Sequence, residues 1–210
     1  MSTLLAALFD RCPSLEACQE ELKAAFEILQ KAYQRGNKML VCGNGGSAAD
    51  SEHIVAELMK GFLRRRPIPA GHAAKLESLG GAGTEIASRL EGALPAIALP
   101  SQMSLLTATA NDRDYDMTFA QQVYGLGRAG DVLLALSTSG KSKNVCNAAL
   151  VAKAFGLQSI ALTGRSGGEL GGLVDLAIKV PSDTVVEIQE LHLPVYHWLS
   201  TELEAAFFPE

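Results

Sequence analysis

His53 and Glu57 stand four residues apart, and Gln189 and His197 stand eight apart. On helices these spacings put each pair on one face, the second pair about two turns from each other. Two histidines, a glutamate and a glutamine offer nitrogen and oxygen donors suited to zinc or a similar divalent ion. The same spacings fit a solvated surface pair at 53 and 57 and hydrogen-bonded helix-face histidines, and spacing alone leaves these readings side by side.

Two loops could hold an anion. Gly43-Asn44-Gly45-Gly46-Ser47 follows a short apolar run and precedes a helical pattern. Small residues there let backbone N–H groups approach an anion or a sugar hydroxyl at a helix N-terminus. A tight turn needing glycine for geometry alone explains the motif equally well. Gly43, Gly45 and Ala48 satisfy a relaxed dinucleotide fingerprint, but that fingerprint wants an acidic residue closing a strand about 20 residues on. Here that distance lands on Leu63 and Arg64-Arg65-Arg66, with no strand until Pro95, so a dinucleotide is discounted. The second loop, Ser137-Thr138-Ser139-Gly140-Lys141-Ser142, carries four hydroxyls at the start of another helix. Capping explains one of them, and the other three favour a cradle for a phosphate.

The elements that must position these residues follow from apolar patterning. Residues 15–35 repeat at helical spacing and stop at Gly36, and a helix is expected over about Ala48 to Phe62. Short apolar runs at 38–42, 95–99, 131–136, 158–163 and 175–180 read as buried strands alternating with helices. That alternation predicts an α/β fold with a parallel sheet covered on both faces, its ligands gathered at the carboxyl edge. A last helix is expected from Thr184, where Thr184 and Glu187 form a capping-box pattern, to Phe207, with Pro194 kinking it. The stretch from about Ile68 to Ala93 breaks the rhythm and reads as an insertion with a helical middle.

The 210 residues, 48% hydrophobic and 20% charged, suit one domain with a real core, here taken as 1–210. A net charge of -5 argues against nucleic acid as the main partner, because phosphate-backbone binding needs concentrated positive charge. Cys12, Cys18, Cys42 and Cys146 have no paired spacing that would mark a disulfide framework or a zinc site. The N-terminus lacks a signal peptide's basic start, and no window approaches a membrane span of roughly 18 apolar residues, which makes the cytoplasm the expected location and excludes a membrane partner.

Together, the segment Gly43 to His53, the Ser137–Ser142 loop and Ile188-Gln189-Glu190-x-His192 resemble the sugar isomerase (SIS) domain, and more narrowly the phosphoheptose isomerases. Leu94 to Leu99, Leu106-Thr107-Ala108 with Asn111-Asp112, and Gly127-x-x-Gly130-Asp131-Val132-Leu133 fit the same family, so the resemblance runs from about 15 to 205. It implies a flavodoxin-like five-stranded parallel sheet and a homotetramer with active sites between subunits. The implied reaction converts sedoheptulose 7-phosphate to D-glycero-D-manno-heptose 7-phosphate. By the same resemblance, Asn44, Gly45, Gly46, Ser47, Ser137, Thr138, Ser139, Ser142, Asn111, Asp112 and Gln189 would bind substrate. His53, Glu57, Gln189 and His197 match zinc ligands, one ion per subunit, and Glu57 and His197 match the acid–base residues. Aldose–ketose interconversion through an enediol needs such a pair near neutral pH. The expected division has Glu57 taking the carbon-bound proton and His197 handling the oxygen protons.

The stretch 68–93 departs from many members of that family; it is read either as cover for the site or as a surface or interface elaboration. Three rivals remain at this level: an isomerase of another phosphorylated sugar, a non-catalytic SIS protein that binds the replication initiator, and a sugar-phosphate-sensing module. Glu57 and His197 favour the enzyme over the second, and the lack of an attached DNA-binding segment disfavours the third.

Overall fold

A computed structural model describes residues 2–209. Five strands, β1 Met39–Cys42, β2 Ala96–Ala98, β3 Val132–Ser137, β4 Gln158–Thr163 and β5 Leu176–Lys179, form one all-parallel sheet in the order β2-β1-β3-β4-β5. This is the flavodoxin-like order, and each expected strand is present. The helices are α1 Thr3–Arg11, α2 Gln19–Gln34, α3 Gly46–Met59, α4 Ala70–Glu77, α5 Gly81–Arg89, α6 Met103–Asp112, α7 Thr118–Leu126, α8 Lys143–Ala154, α9 Leu170–Leu173 and α10 Val185–Phe207.

The strands read as unbroken apolar runs because both faces of the sheet are covered. Met39, Val41, Leu134, Leu136, Ile160, Leu162 and Ile178 pack on one side with Leu22, Leu29, Ile54, Tyr196, Leu199 and Leu203 of α2, α3 and α10. Leu40, Cys42, Leu133, Ala135 and Ala161 pack on the other with Phe119, Val123, Val145, Ala149 and Ala152 of α7 and α8.

Several boundaries differ from expectation. The helix expected over 15–35 begins later, at Gln19: residues 15–18 belong to a 3-10 turn, Pro13–Cys18, that joins α1 to α2. Proline at the first position of that turn breaks the helical ladder between them. Helix α3 starts at Gly46, two residues early, and stops at Met59, short of Phe62. Thr184 holds the N-cap position of α10 without a side-chain cap bond, while Ser182 Oγ donates to Glu187 Oε2 at 2.6 Å. The reciprocal capping box is therefore not formed. Helix α10 runs on through Pro194.

The stretch 68–93 holds the helical pair α4 and α5, which pack on each other. Its base is closed by an antiparallel bridge between Pro67 and Glu91 and by the Gly92 N–H donating to the Arg66 carbonyl at 2.6 Å.

His192 of α10 is fully buried, and neither ring nitrogen has a hydrogen-bond partner. Burial lowers its pKa to about 4, with the Thr163 backbone opposing the shift in part. The folded state thus disfavours protonation, while the unfolded chain takes a proton near 6.5. Stability from this residue is complete above pH 6.5 and is lost as pH falls toward 4, by up to ~1.4 kcal/mol per pH unit. Urea unfolding at pH 7 and pH 5 should show His192→Leu losing about 2 kcal/mol less on acidification than the parent. An equal loss in both proteins would contradict this account.

Candidate functional site

The strand order reverses between β1 and β3, and two loops leave the carboxyl ends of those strands side by side. The glycine turn after β1 leads into α3, and the hydroxyl loop after β3 leads into α8. Their junction is tied by a reciprocal amide pair: Asn44 Nδ2 donates to Asn144 Oδ1, and Asn144 Nδ2 to Asn44 Oδ1, both at 2.9 Å. The Tyr115 hydroxyl also donates to Asn44 Oδ1 at 2.9 Å.

The hydroxyl loop is held tight. Ser137 Oγ and Ser142 Oγ are 3.1 Å apart, and Ser139 Oγ accepts from the Lys141 N–H at 3.2 Å. Gly140, at φ +63°, lies against the neighbouring loop so closely that a Cβ there would stand 2.0 Å from the Gly167 carbonyl oxygen. Glycine is required at this backbone-to-backbone contact. Thr138, Ser139, Lys141, Arg165 and Ser182 line a cleft of about 140 Å³ beside it. Asp183 of the same lining pairs with Arg165 Nε at 3.0 Å, and Lys141 with several hydroxyls at a helix N-terminus makes this wall suited to a phosphate.

The remaining expected substrate residues fall at different depths. Ser47 is buried beneath Gly43 and not on the cleft wall. Asn111 and Asp112 are exposed at the end of α6, joined by a bond from Asn111 Nδ2 to Asp112 Oδ1 at 2.9 Å, and the chain then leads directly to Tyr115. Gln189 stands over the glycine turn: a Cβ on Gly46 would lie 2.3 Å from its Nε2. Gly46→Ala should therefore push the Gln189 amide aside, raising KM for a turn-bound substrate several-fold while melting stays near that of the parent. Steady-state kinetics with a melting curve checks this, and an unchanged KM would contradict it.

A second cluster lies further along α3. His53 Nε2 is 3.2 Å from Glu57 Oε1 and 3.5 Å from His197 Nε2 on α10. Lys60 Nζ binds the other carboxylate oxygen, Glu57 Oε2, at 2.8 Å. The Tyr196 hydroxyl lies 3.2 Å from His53 Nδ1 and donates to Asp50 Oδ1 at 3.1 Å. Burial, and then His53, holds His197 below the ordinary histidine pKa, with Glu57 opposing the shift. Its imidazole is thus kept neutral and basic near neutral pH. Burial raises the Asp50 carboxyl against the pull of Tyr196 and His53, and burial with Asp50 raises the Tyr196 hydroxyl.

These distances bear on a metal. A tetrahedral zinc with bonds of about 2.0–2.1 Å holds its donors roughly 3.3–3.4 Å apart. The two separations at His53 Nε2 match two edges of such a tetrahedron, and the Tyr196 hydroxyl, itself bonded to Asp50, stands at the far side of that ring, as a metal-ligating histidine requires. Among the described residues, no three histidine, cysteine or carboxylate side chains close into a complete cage. Gln189 lies apart from the cluster within the subunit: eight residues of α10 separate it from His197, about 12 Å of helix, and its amide lies over Gly46.

Sequence reasoning missed the supports. Asn144 lies two residues beyond the hydroxyl loop, Asp50 three before His53, and Tyr196 directly before His197. A polar residue beside a motif carries no signal of its own, and only the folded chain sets Tyr196 across from Asp50.

The comparisons with known proteins come to the same place. A family model described as "SIS domain" matches residues 6–92 and 78–164. The phosphoheptose isomerase of Shewanella baltica is 39% identical over 198 residues, covering 93% of this chain and 88% of its own. Among solved structures, the phosphoheptose isomerase of Neisseria gonorrhoeae superposes with a TM-score of 0.74 at 32% identity, covering 96% of this chain and 97% of its own. That of Francisella tularensis gives 0.74 at 29%, covering 97% and 99%. With a parallel 2-1-3-4-5 sheet, a hydroxyl loop at its switch point and matches over nearly the whole chain, this protein belongs to the phosphoheptose isomerase family of SIS-domain proteins.

Proposed function

We propose that the chain isomerises sedoheptulose 7-phosphate to D-glycero-D-manno-heptose 7-phosphate. The observation that carries this reading is the meeting of Glu57 and His197 around His53, one helix away from a phosphate-type cradle. Seven residues of α3 separate Gly46 from His53, about 10 Å along the axis. That separation suits an open-chain sugar whose hydroxyls rest on the glycine turn while its carbonyl end reaches the His53 cluster.

In this reading Ser137, Thr138, Ser139 and Ser142 hold the phosphate, and Asn44, Gly45, Gly46 and Gln189 hold the sugar hydroxyls. Ser47 supports the turn from beneath, and Asn111 and Asp112 close the site from α6. The Glu57 carboxylate removes a proton from C1, beside the C2 carbonyl, giving an enediol. Returning a proton to C2 leaves the aldehyde at C1, while His197 carries a proton between O1 and O2. Each such transfer contributes roughly 10²–10⁴-fold in rate.

His53, Glu57 and His197 are the residues that would hold zinc, in a homotetramer whose sites lie between subunits. When bound, zinc would polarise the carbonyl and stabilise negative charge on the enediolate. No helix among the described residues is long and apolar enough to cross a membrane, in keeping with the cytoplasmic location proposed here.

The test is to follow sedoheptulose 7-phosphate by NMR with added zinc and after chelation. Conversion to the aldose that zinc raises and chelation lowers supports both the reaction and the metal. Absence of conversion in both conditions, with conversion of a different phosphorylated ketose, would replace the substrate.

A further inference from the structure

The two proposed catalytic residues sit on different helices, so something must set their spacing. Arg66 closes the basic run Arg64-Arg65-Arg66 and is 0% exposed. Its Nη2 donates to the Glu57 carbonyl at 2.9 Å, and its Nη1 to the Leu58 carbonyl at 2.8 Å. Its Nε donates to Glu204 Oε1 at 2.7 Å, and Glu204 is likewise 0% exposed. The guanidinium lies 4.9 Å from the centre of the Phe208 ring.

Each of these bonds has a structural reason. The last carbonyls of a helix lack partners within it, and α3 has no basic residue in its last turn. Arg66 supplies the missing donors from beyond the helix, at the backbone of Glu57 itself. The Glu204 carboxylate also accepts the Phe62 and Leu63 N–H groups at 2.8 and 2.9 Å. Glu204 stands seven residues beyond His197, two turns along the same face of α10. Phe62, held by Glu204, places its ring 5.4 Å from the His197 ring. The pair therefore joins the backbone of Glu57 to the helix that carries His197, through a planar fork each of whose three nitrogens donates a bond.

We infer that the buried Arg66–Glu204 pair is a positioning device for catalysis, holding Glu57 of α3 at its working distance from His197 of α10. The inference rests on the proposed roles of those two residues. Arg66 touches no reacting atom in this account; it acts through the Glu57 main chain. A shift of about 1 Å between an acid–base pair can cost on the order of a hundredfold in rate, so a brace at this point governs kcat more than binding. The phosphate cradle lies on another element, the loop between β3 and α8, and is untouched.

The test compares the parent protein with Arg66→Lys and with the double variant Arg66→Met/Glu204→Leu. Lysine keeps the charge but cannot reproduce the fork to both carbonyls. The double variant leaves no unpaired buried charge, so it stays folded if the single one does not. Expected in either folded variant is a kcat at least ~10-fold lower with KM within about threefold, at unchanged substrate and zinc concentration. A folded double variant with kcat within twofold of the parent would overturn the inference. Hydrogen exchange of the 58–63 amides reads the brace without any substrate: exchange at least ~10-fold faster there, with β3 and β4 unchanged, supports it, and unchanged exchange overturns it. If the parent itself fails to convert the heptulose phosphate, the proposed function falls, while the exchange measurement still decides the brace.

Discussion

Glu57→Gln is expected to lower kcat for heptulose phosphate isomerisation by at least ~100-fold while leaving KM within a few-fold. The glutamate is almost completely buried, with Oε1 against His53 Nε2 at 3.2 Å and Oε2 against Lys60 Nζ at 2.8 Å. Glutamine fills the same volume and retains one oxygen, so the Arg66 bond to the residue's carbonyl should persist. What it lacks is a base for the carbon-bound proton. Its Nε2 would also face the donors of either Lys60 or a protonated ring, which sharpens the loss. Steady-state kinetics beside a melting curve separates the outcomes. A variant that folds and turns over at half the parent rate would remove Glu57 from the proton path.

His197→Asn should produce a loss of similar order, about 100-fold in kcat, by a different route. The ring is half-buried, lies 3.5 Å from His53 through Nε2, and is held below the ordinary histidine pKa first by burial. It is therefore available at neutral pH both to accept an oxygen-bound proton and to donate a lone pair to a cation. Asparagine does neither well, and its shorter side chain withdraws from His53. Bound zinc, measured by elemental analysis after purification in zinc-containing buffer, should fall from one per subunit to well below one. Full zinc content together with a lost kcat would keep the acid–base role and remove the ligand role. Full zinc content and full activity would remove both.

The strands were legible because a parallel sheet covered on both faces demands continuous apolar runs, and 38–42 and 158–163 have no other use for theirs. The hydroxyl loop was legible because four hydroxyls in six residues exceed what one cap needs. The His53–Glu57 pairing followed from helical spacing, and only the fold adds that α10 brings His197 to the same ring nitrogen. The early end of α3 depends on partners far along the chain. Beyond the end of α3, Arg66 takes the Glu57 and Leu58 carbonyls and Glu204 takes the Phe62 and Leu63 N–H groups, and nothing near Met59 in the sequence announces a carboxylate 145 positions on. Arg66 was hidden for the same reason: within Arg64-Arg65-Arg66 the three residues look alike, and only the fold selects the one that is buried. Gln189 was grouped with His197 by helical face, and the fold adds that about 12 Å of helix lies between them within one subunit.

The central claim is that this site removes and returns a proton next to the carbonyl of a phosphorylated heptulose. Its most direct measurement is deuterium incorporation from D2O, read by NMR, in the parent and in Glu57→Gln. The account predicts deuterium at C2 of the heptose 7-phosphate product and at C1 of recovered sedoheptulose 7-phosphate, both abolished by the substitution. Conversion without any label from solvent, or equal labelling in the two proteins, would contradict it.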